Sequence, residues 1–173
     1  MTGNTKKIVM DIVLAALLAA LACVATMLIQ IPTPFKGYVN LGDGIVLVAG
    51  WILAPKYVFL AAGVGSALAD LILGYVTYAP ATFLIKGAMA LIVCYGYTWL
   101  HHKLGHLPSR ILTGAVAEIV MVLGYCVFES ILYGFAVAAL NLFSNSVQAV
   151  VGLVIGVVLI EILDKSKALS RLK

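Results

Sequence analysis

Several stretches of this chain are apolar over about the length needed to cross a bilayer. A spanning α-helix needs roughly 20 such residues, because it rises about 1.5 Å per residue through about 30 Å of hydrocarbon. The first run, Ile8 to Ile29, follows Lys6 and Lys7. It is too long for the core of a secretory signal and lacks a clean cleavage motif, which makes it a first spanning helix. Hydrophobic residues make up 64% of the chain and charged residues only 10%, with a mean hydropathy of +1.14. A soluble domain carries about 25% charged residues, so this chain is unable to cover itself with solvated groups. Alternating strands of about ten residues are absent, which argues against an outer-membrane barrel. The expectation is an all-α polytopic membrane protein with six transmembrane helices, residues 1–173 forming a single domain.

The helix boundaries follow the prolines, glycines and polar clusters. Helix 1 is expected over about Ile8–Gln30, stopping before Pro32 and Pro34. Residues Ile31–Asp43 read as a loop. A short helix 2 covers about Gly44–Ala54 and helix 3 about Lys56–Leu73. Gly74–Pro80 is a tyrosine-rich turn. Helix 4 runs about Ala81–Leu100, and His101–Arg110 reads as a polar linker. Helix 5 runs about Ile111–Tyr133, and helix 6 begins within Ala136–Asn145 and ends near Leu163. Small residues four apart, Ala15 with Ala19 and Ala16 with Ala20, allow close approach of another helix, as do Gly152 and Gly156. No internal repeat is visible.

With six helices both termini share one side, which collects Lys6, Lys7, Lys56, Lys103, Arg110, Lys165, Lys167, Arg171 and Lys173. The other side keeps Lys36, with Lys86 just inside it. Basic residues concentrate in cytoplasmic loops, so both termini are expected in the cytoplasm. That asymmetry accounts for the net charge of +4 without a nucleic-acid partner.

Two ionisable residues, Asp70 and Lys86, interrupt otherwise apolar or small-residue runs. Charges at such depth are costly, face the bundle interior and mark sites. Depth counted from the helix ends places Asp70, Lys86 and Glu129 at one level with Asn141, Asn145 and Gln148 on helix 6. Asp43 opens helix 2 on that same side, beside Asn40. Tyr75 and Tyr78 lie next to the cluster, as belt residues or as faces for a flat ring. The structural alternative for Asp70 and Lys86 is an ion pair tying helices 3 and 4. For the three amides it is interhelical hydrogen bonding, worth on the order of 0.6 kcal/mol each. Glu118 reads as lying in the inner half of helix 5, away from this layer. Trp51 and Trp99 read as belt anchors at the cytoplasmic side.

No Walker loop is present, so the usual phosphate cradle for ATP is missing. His101, His102 and His106 have no cysteine or carboxylate beside them, and Cys23, Cys94 and Cys126 are widely spaced in apolar runs. Neither set reads as a metal site, and no cofactor is expected. No nucleophile–base pair stands out, and the chain is not read as an enzyme.

The residues assembled so far resemble the substrate-binding S component of energy-coupling factor (ECF) transporters. The resemblance rests on the size, the six-helix plan, the AxxxA spacing of helix 1, and the run NLGDGIVLVAGWILAPKYVFLAAGVGSALADLILGY followed by APATFLIKG. It is similar to the branch that includes riboflavin, hydroxymethylpyrimidine and pyridoxine carriers. The resemblance implies a subunit in a bacterial plasma membrane that captures a vitamin or precursor from outside. The pocket would lie in the outer parts of the later helices, under the loop Ile31–Asp43. The implied partners are a membrane coupling subunit, met through Ala15/Ala19 or Ala16/Ala20, and two cytoplasmic ATPases. Ligand contacts are expected among Asn40, Asp43, Asp70, Tyr75, Tyr78, Lys86, Glu129, Asn141, Asn145 and Gln148. A small ring of pyridoxine or hydroxymethylpyrimidine type suits these side chains. Riboflavin is the alternative cargo. The competing classes are a proton-coupled secondary transporter and a structural membrane protein whose polar residues only join helices.

Overall fold

Proline and glycine punctuate the helices in the computed structural model, which describes residues 3–32 and 38–167. Helix α1 (Gly3–Leu28) leads into a short antiparallel hairpin of β1 (Gln30–Pro32) and β2 (Tyr38–Asn40), in register Gln30 to Asn40 and Pro32 to Tyr38. Then follow α2 (Gly42–Ile52), α3 (Pro55–Ile72), α4 (Ala79–Leu104), α5 (His106–Tyr133) and α6 (Phe135–Lys165). Pro55 opens α3 at a position where its missing N–H has no helical partner to lose. Single residues, Gly105 and Gly134, join α4 to α5 and α5 to α6. Their φ values of 81° and 87° suit glycine, which has no Cβ to clash.

The expected all-α membrane bundle of six helices is what these elements build. Five of the helices are long and apolar enough to cross a membrane. The sixth, α2, has 11 residues and rises only about 16 Å. It forms a buried pillar, packed on α6, α4 and α1, with α1 on α3, α3 on α4, α4 on α5 and α5 on α6 completing the wall. Val46 and Leu47 in α2 are wholly buried. The outer faces are apolar instead: Ile131 and Phe143 are more than three-quarters exposed, and Leu17, Ile119 and Val154 point the same way. Apolar outside with polar groups inside is the arrangement that lipid, not water, stabilises.

Close approach depends on small residues, as expected for helices packing in lipid. A Cβ at Gly65 of α3 would overlap the α1 backbone at Ala19. One at Gly156 of α6 would press on Gly44 and Leu47 of α2. The inner small pair of α1, Ala15 and Ala19, is therefore spent on the bundle, and Ala16 and Ala20 remain exposed.

Several readings of the chain change, among them the loop Ile31–Asp43, which carries strand β2 and the start of α2. The stretch His101–Arg110 is not a linker, because α4 continues to Leu104 and α5 starts at His106. Arg110 is buried there, donating to Glu161 at 2.7 Å and to Asp164 on α6. Helix α6 begins at Phe135, directly after Gly134. Trp51 is no belt residue: it is 8% exposed and donates its indole N–H to Thr113 Oγ1 at 3.2 Å. Trp99, 66% exposed, keeps the peripheral position expected of it.

Candidate functional site

Asp43 anchors the polar layer. It sits in the first turn of α2, where the helix N-terminus favours a carboxylate, and it is fully buried. Its Oδ1 accepts from the Lys86 ammonium of α4, and its Oδ2 accepts from Gln148 Nε2 of α6 at 2.8 Å. Gln148 Oε1 in turn accepts from the Asn40 backbone N–H at 3.0 Å and from Asn40 Nδ2 at 3.4 Å. Asn40 Oδ1 then caps the Gly42 N–H at 2.9 Å. The chain of contacts runs from α4 through α2 and α6 to strand β2. It fixes the hairpin against the helices.

The Asp70–Lys86 ion pair, the structural alternative for these two residues, does not form. Lys86 pairs with Asp43, which α2 brings to it from the side. Asp70 instead accepts from the Tyr38 hydroxyl of β2 at 2.5 Å. Burial, with Asp70 beside it, holds the Tyr38 phenol well above its ordinary pKa. Burial, with Glu129 nearby, does the same for Tyr78. Both hydroxyls are therefore donors at physiological pH.

Behind this layer is Glu118, and its place also departs from the expectation. Its carboxyl faces Asp43 and Lys86, in the gap left because Gly152 has no side chain. Since α5 starts five residues earlier than Ile111, Glu118 falls near the middle of that helix, level with the Asp43–Lys86 pair.

Above the Asp43–Lys86 pair is a cavity of about 30 Å³, room for one or two waters. Asn40, Asp70, Tyr75, Tyr78, Lys86, Glu129, Asn145 and Gln148 all line it. Asp43 and Asn141 do not. Asp43 stands behind Lys86, and Asn141 lies beside Glu129. Tyr38 closes the hairpin side, its ring 4.7 Å from Tyr75. Tyr78 crosses Tyr75 edge to face at 6.3 Å and donates to Glu129 Oε1 at 3.3 Å.

Five lining residues were not anticipated: Thr26, Tyr38, Ser66, Thr82 and Tyr125. Three of them carry a readable signal. Ser66, Thr82 and Tyr125 each precede an anticipated residue by four positions (Asp70, Lys86, Glu129), which puts them on the same helical face. Thr82 and Tyr125 share a hydrogen bond of 2.9 Å, and the Lys86 ammonium lies 5.5 Å from the Tyr125 ring.

Several buried polar atoms on this cavity have no hydrogen-bond partner: Ser66 Oγ, Asp70 Oδ2, Glu129 Oε2 and Asn145 Nδ2. Buried polar groups are nearly always satisfied, so such a concentration in one place is the exception that ordered water or a ligand would satisfy. The histidines lie elsewhere, near Tyr97, whose hydroxyl is 2.7 Å from His106 Nδ1. Among the described residues no group of side chains is arranged to hold a metal.

A helical bundle with an apolar exterior and a polar cavity under its hairpin is the form of an integral-membrane protein with an interior polar site. Residues 6–165 match the family of ECF-type riboflavin transporter S components, and the chain belongs to that family. A protein of Pyrococcus woesei described as "Uncharacterized protein in gap 3'region" is 42% identical over 135 residues, covering 77% of this chain and 87% of that protein. The chain is thus a multi-pass membrane protein and a substrate-specific, vitamin-binding subunit of a transporter, working with membrane partner subunits. It is not an enzyme.

Proposed function

We propose that the cavity under the β1–β2 hairpin captures a small single-ring vitamin or precursor, of pyridoxine or hydroxymethylpyrimidine type. Capture is from the outside, for uptake driven by partner ATPases. The observation that carries this reading is the set of unpartnered polar atoms that α3, α5 and α6 bury around one cavity flanked by tyrosines. Asn145, Glu129 and Asp70 are the direct contacts, with Tyr75 and Tyr78 as ring faces. Lys86, Asn40, Gln148, Asp43 and Asn141 shape the walls. The cavity is too small for a ring as it stands, so loading requires Tyr38 and the hairpin to move away from Asp70 and Tyr75. Riboflavin is the second reading, favoured by the description of the matched family.

On this reading both termini are cytoplasmic and the hairpin faces outward. A membrane coupling subunit docks on Ala16 and Ala20, the exposed small pair of α1, and two cytoplasmic ATPases complete the complex. Mass spectrometry of the small molecule that copurifies, joined to thermal shift with a vitamin panel, tests the reading. No stabilisation by any aromatic vitamin would overturn it. Uptake into vesicles lacking the ATPases would replace it with a secondary transporter.

A further inference from the structure

Glu118 does not line the cavity, yet it is buried in the middle of α5, only 3% exposed. Neither of its oxygens receives a hydrogen bond from an N–H or a hydroxyl. On one side it borders an apolar groove of about 310 Å³ between α5 and α6, with Ile119, Leu123 and Val150 as the exposed rim. Ser146 is the other polar residue of that groove, and its hydroxyl is given to the Leu142 carbonyl at 2.7 Å. On the other side Glu118 meets Asp43 of α2 and Lys86 of α4. The gap between the carboxyls is small: a Cβ on Gly152 would lie 2.7 Å from Asp43 Cβ and 2.8 Å from Glu118 Oε1. The facing part of α6 carries Ala149, Gly152 and Leu153, none of which titrates.

Two carboxyls and one ammonium therefore share a space nearly shut off from solvent. Asp43 has a donor on each oxygen, Lys86 on Oδ1 and Gln148 on Oδ2, so it is the carboxylate of the two. An ionised Glu118 would add a second negative charge with no cation of its own and no donor, the costliest form of burial. Two facing carboxyls are also unable to hydrogen-bond unless one carries a proton, because a carboxylate only accepts. We infer that Glu118 is a neutral carboxylic acid that donates a hydrogen bond to Asp43, and that it is a positioning residue for the hairpin. Glu118 steadies Asp43, Asp43 holds Gln148, and Gln148 holds the Asn40 N–H of strand β2. Losing this proton-bearing group leaves every cavity residue in the chain but loosens the strand that closes over them. The connection to capture rests on the proposed carrier reading; the protonated state of Glu118 does not.

Infrared difference spectroscopy of the detergent-purified protein without ligand, wild type against Glu118→Gln, reads the proton directly. The wild type is expected to show the carbonyl stretch of a protonated carboxylic acid, shifted in heavy water and absent from the variant. Hydrogen–deuterium exchange of the Tyr38–Asn40 segment reads the positioning. Glu118→Ala is expected to speed that exchange roughly 10-fold or more, the loss of one hydrogen bond to a charged group. Glu118→Gln still offers a neutral N–H to Asp43 and is expected to restore the rate to within roughly threefold of the wild type. An unchanged carboxylic-acid band in Glu118→Gln would overturn the inference, as would wild-type exchange in Glu118→Ala. So would a Glu118→Gln protein that exchanges like Glu118→Ala or does not fold, since the site would then need the charge and not the proton. Where Glu118→Ala fails to fold, the infrared comparison and the Glu118→Gln exchange decide the point. Every readout uses the empty protein, so a failed vitamin panel would remove the carrier reading and leave the assignment of this proton in place.

Discussion

Lys86→Met isolates the role of the Asp43–Lys86 pair. Methionine replaces most of the lysine stem, so the change is chiefly the loss of a charge. Lys86 is 2% exposed and Asp43 is fully buried, so no water reaches the carboxylate left behind. Gln148 Nε2 remains as its donor, and Glu118 still faces it across Gly152. Breaking a buried pair from one side costs about 3–5 kcal/mol, whereas replacing both partners is near neutral or stabilising. At about 1.4 kcal/mol per decade, Lys86→Met should shift the unfolding equilibrium by roughly two to four orders of magnitude.

The combination Lys86→Met with Asp43→Asn removes both charges and keeps an amide acceptor for Gln148. It should return to within about 1–2 kcal/mol of the starting protein. Equilibrium unfolding in mixed dodecylmaltoside–SDS micelles, followed by circular dichroism, reads the series. A Lys86→Met protein within 1 kcal/mol of the original, or a double variant as unstable as the sum of its single changes, would show that the pair does not carry this charge balance.

Four other outcomes are expected. Asn145→Ala should weaken vitamin binding at least 10-fold while leaving the empty protein's melting within about 1 kcal/mol, since its Nδ2 is unpartnered. Tyr38→Phe strips Asp70 of a donor and should cost the empty protein about 1–3 kcal/mol, read by thermal unfolding. Gly65→Ala forces α1 off α3 at Ala19 and should cost about 1–3 kcal/mol. Ala16→Leu with Ala20→Leu, on the exposed side of the same helix, should leave melting unchanged. That pair should abolish copurification with the coupling subunit, because the bulk meets the proposed partner instead of the bundle.

The sequence made the polar layer legible because lipid makes it conspicuous. Asp70, Lys86, Glu129, Asn145 and Gln148 stand out among apolar neighbours, and depth counted along each helix was enough to bring them to one cavity. Pairing was a different matter. Asp70 and Lys86 are on consecutive helices, and sequence proximity made them partners. The short helix α2 inserts Asp43 between the walls, and nothing local announces that an 11-residue helix is the central pillar. Tyr38 is not legible in the sequence, because a residue outside the helices has no helical face to be counted on. Its role depends on the hairpin register that sets Pro32 opposite Tyr38. Glu118 is hidden for a simpler reason: three histidines, a lysine and a proline make 101–110 read as a loop, which starts α5 too late and sets Glu118 too near its inner end, while Glu129, counted from the outer end, is unaffected. Charge count identifies which residues must be buried together; backbone geometry decides which carboxylate a lysine finds. Had Lys86 paired with Asp70, the cavity would keep one carboxyl without a lysine. Because Asp43 takes the lysine, Asp70 and Glu129 both line the cavity without it.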